Sequence, residues 1–191
     1  MTDETARTER DRMLAGELYD PFDPELARNR TRARDLCQAL NATRDADEEQ
    51  RRRLVIDLFG AGGSDVWVQP PFFCDYGAHI YAGDRFYANF GCVVLDCAAV
   101  RIGSDVMLGP SVQIYAAYHP LDAATRIAGP ELAAPVTIGD RVWIGGGAIV
   151  CPGVTIGEGT TIGAGSVVTR DIPAHVLAVG NPCRVVRSLA G

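Results

Sequence analysis

From Ile138 onward, apolar residues return at every sixth position: Ile138, Ile144, Val150, Ile156, Ile162 and Val168. Glycine follows four of them, as Gly139, Gly145, Gly157 and Gly163. A second small or branched side chain comes four residues after each of the first five, at Val142, Ala148, Val154, Thr160 and Ser166. No α-helix has a six-residue period, and hairpin strands alternate every two residues between irregular turns. A strict six-residue period predicts a parallel β-helix, in which each hexad is one short strand plus a turn. The aliphatic residue points into the coil, the glycine takes a close contact that a Cβ would obstruct, and coils stack.

The same ladder precedes this stretch at Ile102, Leu108 and Ile114, with Gly103 and Gly109 in second place. Between Phe72 and Val100 the pattern is β-like but looser: Ile80, Phe86 and Cys92 keep the step, and then it shifts. A short strand over Val66–Val68 is bracketed by Gly62-Gly63 and Pro70-Pro71. The stretch Tyr118–Pro135 carries no hexad, and an excursion of that length from a regular solenoid reads as a functional loop. The tail from Gly180 to Arg187 reads as a terminal closure.

Residues 1–60 follow a different pattern, with eleven of the 18 basic residues and 14 of the 24 acids. Three helices are predicted. The first covers roughly Thr5 to Leu18. The second opens at Pro24 and spaces Leu26, Ala33, Leu36, Cys37 and Leu40 on one face. The third takes Asp47 and Gln50 as a capping box, presents Leu54, Val55, Leu58 and Phe59, and stops at Gly60. A solenoid needs its first coil covered, so residues 1–60 are expected to cap a β-helix over 61–191.

Composition narrows the function classes. A formal net charge of −6 and a pI near 5.0 argue against non-specific nucleic-acid binding. No apolar run is long enough to span a membrane, and the charged N-terminus does not resemble a secretory signal, so a cytoplasmic location is expected. The six cysteines show no C-x-x-C pair and no metal-ligand spacing, and are expected to be buried small hydrophobes rather than a disulfide framework.

There is no G-x-S-x-G elbow, no P-loop and no dinucleotide-binding glycine motif. The three histidines, His79, His119 and His175, are too far apart in sequence for a local metal-ligand cluster. His119 opens the loop that interrupts the solenoid, where an imidazole can take a proton from an attacking hydroxyl; its position alone is also that of a surface loop histidine. Gly145-Gly146-Gly147 reads as turn glycine whose N–H groups can also serve an oxyanion. Arg170, Arg184 and Arg187 gather near the C-terminal end, as a solvated edge or a phosphate-binding cluster.

The hexads, together with Phe86-Tyr87-Ala88-Asn89-Phe90, Tyr118-His119-Pro120, Val142-Trp143-Ile144-Gly145 and Gly180-Asn181-Pro182, resemble the maltose/galactoside O-acetyltransferases. Met13–Asp20 and Asp23-Pro24-Glu25-Leu26 resemble that family's N-terminal segment. The resemblance spans about Arg12 to Leu189. It implies a left-handed parallel β-helix assembled as a homotrimer with active sites between subunits, acetyl-CoA as donor and a sugar hydroxyl as acceptor. It implies that His119 is the general base and that the Gly146 N–H serves the oxyanion. Asp20, Asp75, Asn89, Asp96 and Glu131 match polar positions of the acceptor pocket, and Trp143 the aromatic near the acetyl group. Gly146, Ala164, Thr169, Arg170, Arg184 and Arg187 fall where the family contacts coenzyme A. No catalytic metal is implied.

Two departures bear on the acceptor. Asp75 stands where galactoside enzymes carry Ser, and Glu131 where they carry Met, which leans towards a maltose- or glucose-like acceptor. Other acceptors (an amino-sugar, a lipid-linked saccharide, serine or an antibiotic) and a metal-dependent or non-enzymatic β-helix are the alternative readings.

Overall fold

The computed structural model describes residues 7–189. Three parallel sheets form the faces of a β-helix, and successive coils add one two- to four-residue strand to each face. The first sheet includes Ile80–Ala82, Val100–Ile102 and Val136–Ile138; the second Tyr87–Ala88, Met107–Leu108 and Trp143–Ile144; the third Cys92–Leu95, Gln113–Tyr115 and Ile149–Val150. Ile138, Ile144, Val150, Ile156, Ile162 and Val168 are all buried, as are Val142, Ala148, Val154, Thr160 and Ser166 four residues on. Backbone hydrogen bonds join each coil to the next, so an isolated hexad has no partner and the stack is the stable unit.

The looser spacing before Val100 has a geometric cause. Trp67 pairs with Tyr87 and Tyr87 with Met107, so each early coil takes twenty residues, whereas Trp143 pairs with Thr161 after eighteen. The two extra residues lie at the corner after the third sheet, where Asp96 is fully buried. Its carboxylate accepts the N–H groups of Asp75 (3.1 Å), Tyr76 (2.8 Å) and His79 (3.1 Å). The strand expected over Val66–Val68 forms at Trp67–Val68.

Helices α1 (Glu9–Ala15), α2 (Pro24–Asn41) and α3 (Glu48–Leu58) precede the coils. The predicted start of the first helix at Thr5 lies outside the described residues; α1 begins after Thr8, which forms a reciprocal capping box with Asp11. The capping box expected at Asp47 and Gln50 does not form. Asp47 turns its carboxylate back to the Arg44 N–H and guanidinium, and caps nothing in α3. Pro24 occupies the first turn of α2, with Asp23 accepting from Glu25 and Leu26.

The helices close the open end of the solenoid. Asn41, at the end of α2, donates to the Phe72 carbonyl (3.0 Å) and accepts from its N–H (2.8 Å), standing in for the missing neighbouring strand. Arg51 is buried, and its guanidinium satisfies the Thr43 hydroxyl, the Gln69 side chain and the Arg44 carbonyl while lying over Trp67. At the other end, Arg184–Ser188 folds back antiparallel on Val176–Val179. Among the described residues, no helix is long and apolar enough to cross a membrane.

Candidate active site

The solenoid breaks after the third sheet, and the interruption has structure of its own. Ala117–Tyr118 pairs antiparallel with Leu132–Ala133, and a short helix, α4 (Ala123–Ile127), sits between them, capped by Asp122. Arg126 on α4 donates to the carbonyls of Pro120 (3.0 Å) and Leu121 (3.2 Å), which fixes the turn directly after His119. At its far end, Glu131 exchanges backbone hydrogen bonds with Tyr19 and accepts from its phenol at 2.8 Å. The loop is therefore tied to the helical segment as well as to the coils.

These ties enclose a cavity of about 480 Å³ in which Asp75, His119 and Glu131 converge. Arg30, Arg34 and Tyr76 face it from α2 and the corner after Cys74. His119 is exposed on its rim, and its ring has no hydrogen-bond or charge partner among the described residues. Asp75 is half-buried; burial pushes its carboxyl above the usual range, the Cys97 thiol at 3.4 Å pulls it back, and the nearby Asp96 and Glu131 charges push it up again. Arg30 is held by the Tyr76 hydroxyl at 2.8 Å and the Pro21 carbonyl at 2.5 Å. Carboxylates facing guanidinium groups form a surface able to accept from and donate to a polyhydroxylated molecule.

The remaining expected residues stand elsewhere. Asp96 lies behind the cavity with its carboxylate spent on backbone N–H groups; its neighbour Cys97 is the residue that lines it. Asp20 borders an adjoining hollow beside Gly129 and Pro130, and its carboxylate accepts from the Phe22 N–H. Asn89, Gly146 and Ala164 stack on another corner, between the second and third sheets. There the Gly146 N–H donates to no group among the described residues. Trp143 points outward from the second sheet beside Met107, each about half exposed. Thr169 and Arg170 are exposed after the last strand of the third sheet, and Arg184 and Arg187 lie on the antiparallel closing strand. Within one chain, then, the expected residues fall on separate corners and edges.

A family model described as the maltose acetyltransferase hexapeptide capping motif matches residues 12–63, and a bacterial transferase hexapeptide model matches residues 135–170. A maltose O-acetyltransferase from Clostridium difficile superposes with a TM-score of 0.96 at 47% identity, covering 97% of this chain and all of that one. A galactoside acetyltransferase in complex with coenzyme A gives 0.93 at 38% identity, over 96% and 92% of the two chains. A hexapeptide-repeat acetyltransferase from Vibrio cholerae, complexed with acetyl coenzyme A, gives 0.90 at 40% identity, over 97% and 100%. The chain belongs to the maltose/galactoside O-acetyltransferase family. As a hexapeptide-repeat acetyltransferase it shares the solenoid and the capping motif with these relatives. Sequence reasoning missed Arg30, Tyr76, Cys97 and Arg126. The cavity-facing side of α2 carried a signal in Arg30 and Arg34, four residues apart on a helix.

Proposed function

We propose that this acetyltransferase moves the acetyl group of acetyl-CoA to a hydroxyl of a maltose- or glucose-like sugar, by direct attack and without an acyl-enzyme. The observation that carries the reading is the convergence of an unpartnered His119 with Asp75 and Glu131 on one cavity. The bound coenzyme A and acetyl-CoA of the structural neighbours support the choice of donor. Asp75 and Glu131 accept hydrogen bonds from acceptor hydroxyls, which an apolar wall would leave unmade.

The imidazole of His119 removes the hydroxyl proton as the oxygen attacks the thioester carbonyl. The Gly146 N–H steadies the developing oxyanion. Collapse of the tetrahedral intermediate breaks the carbon–sulfur bond, and the CoA sulfur leaves with the proton that His119 carried. Trp143 flanks the acetyl group, and Asn89, Asp20 and the Asp96-held corner shape the acceptor site. Ala164, Thr169, Arg170, Arg184 and Arg187 hold the coenzyme, the arginines through its phosphates.

Because His119 and Gly146 stand on different corners of one chain, the reading requires a homotrimer in which one subunit's loop meets its neighbour's Gly146 corner. Leu121 and Ile127, at 96% and 82% exposure on the loop, suit burial against such a neighbour. The test is release of free CoA from acetyl-CoA with maltose, glucose, galactosides, an amino-sugar or water alone. Release that depends on maltose or glucose and exceeds that with galactosides is expected. Release equal to the water control with every sugar would overturn the acceptor class.

A further inference from the structure

Cys37, on α2, and Cys74, at the end of the strand Phe72–Cys74, bring their sulfurs to 3.6 Å. Both are reduced and buried, and among the described residues they are the one cysteine pair whose sulfurs touch. One belongs to the helical cap and the other to the first coil, so the pair spans the joint between them. Both also line a pocket of about 520 Å³, walled by Gln38, Pro71 and Phe73, that opens beside the half-exposed Phe73 ring. A small neutral oxidant therefore has a path to the sulfurs. A disulfide needs the sulfurs at about 2 Å, an approach that side-chain rotation can supply from van der Waals contact.

We propose that Cys37 and Cys74 are an oxidation site, closed by peroxide into a staple between cap and solenoid and reopened by thiols. Either thiol can donate in the 3.6 Å contact between them; that contact draws the Cys37 thiol below its usual range and, with burial, pushes Cys74 up, which favours Cys37 as the attacking sulfur. Its thiolate attacks one oxygen of hydrogen peroxide, the O–O bond breaks, and the departing hydroxide takes a proton and leaves as water. The Cys74 sulfur then attacks the sulfenic sulfur; the S–S bond forms, and hydroxide leaves with the Cys74 proton as a second water. Two thiols lose two electrons and the peroxide gains them.

The staple is independent of the acetyl-transfer reading and is tested without it. The whole protein is treated with hydrogen peroxide, denatured, alkylated with iodoacetamide and cut with trypsin. Trypsin leaves Cys37 alone on the Asp35–Arg44 peptide and Cys74 alone on the Leu54–Arg85 peptide. We expect those two peptides linked, and a rise in Tm of about 5–10 °C that dithiothreitol reverses. Cys37→Ser and Cys74→Ala should each abolish both. Alkylation of Cys37 and Cys74 while other cysteines are oxidised would overturn the proposal, as would a sulfinic acid at Cys37 without the link.

Discussion

At Asp75 the protein holds a carboxylate where the fold disfavours its charge. Burial raises its proton affinity above the usual 3.8, Cys97 offsets part of this, and Asp96 and Glu131 add to it. The folded state therefore binds the Asp75 proton more tightly than the unfolded chain. Asp75 costs nothing below the ordinary carboxylate range, and it destabilises the fold increasingly as pH rises through the raised value. Asp75→Asn removes that cost, so its Tm relative to wild type should climb between pH 4 and pH 7 in thermal melts. A difference that is flat or falls with pH would contradict this. Gly145 is fixed by space: a Cβ there would stand 2.5 Å from the Ala164 nitrogen on the next coil. Gly145→Ala should cost about 1–3 kcal/mol, read from the midpoint of urea unfolding.

At the scale of elements, α4 matters for what Arg126 does to the turn after His119. Arg126→Ala frees the Pro120 and Leu121 carbonyls without touching the core. Turnover should fall on the order of tenfold through misplacement of the imidazole, while Tm moves little; an unchanged kcat would show that the loop holds its shape without Arg126. The solenoid itself was legible because every coil repeats the same inward positions at a short, local interval. The early coils were harder to read because two residues are added at one corner for the Asp96 turn, which hydrophobic spacing does not encode. The tie between Tyr19 and Glu131 spans too much sequence for any periodic pattern to reveal. Asp96 and Cys97 are adjacent in sequence, and backbone direction alone decides that the thiol lines the cavity while the carboxylate binds N–H groups. The Asp47 box failed for a similar reason: Arg44 competes for its carboxylate.

At the scale of the whole molecule, the single chain carries its expected site residues in parts. His119, Asp75 and Glu131 lie with the loop and cap, Asn89, Gly146 and Ala164 on another corner, and Arg184 and Arg187 on the closing strand. In the proposed trimer Leu121 and Ile127 are buried and these parts meet, so Leu121→Glu with Ile127→Glu should shift the mass seen by light scattering from a trimer towards a single chain and lower acetyl transfer with it. Full activity from a single-chain species would contradict the shared site. Whether His119 is the base for acetyl transfer is decided by maltose-dependent CoA release from wild type beside His119→Ala. His119→Ala should lose about 10²–10⁴ in turnover, with Tm and assembled mass unchanged. Near wild-type release by His119→Ala would contradict it.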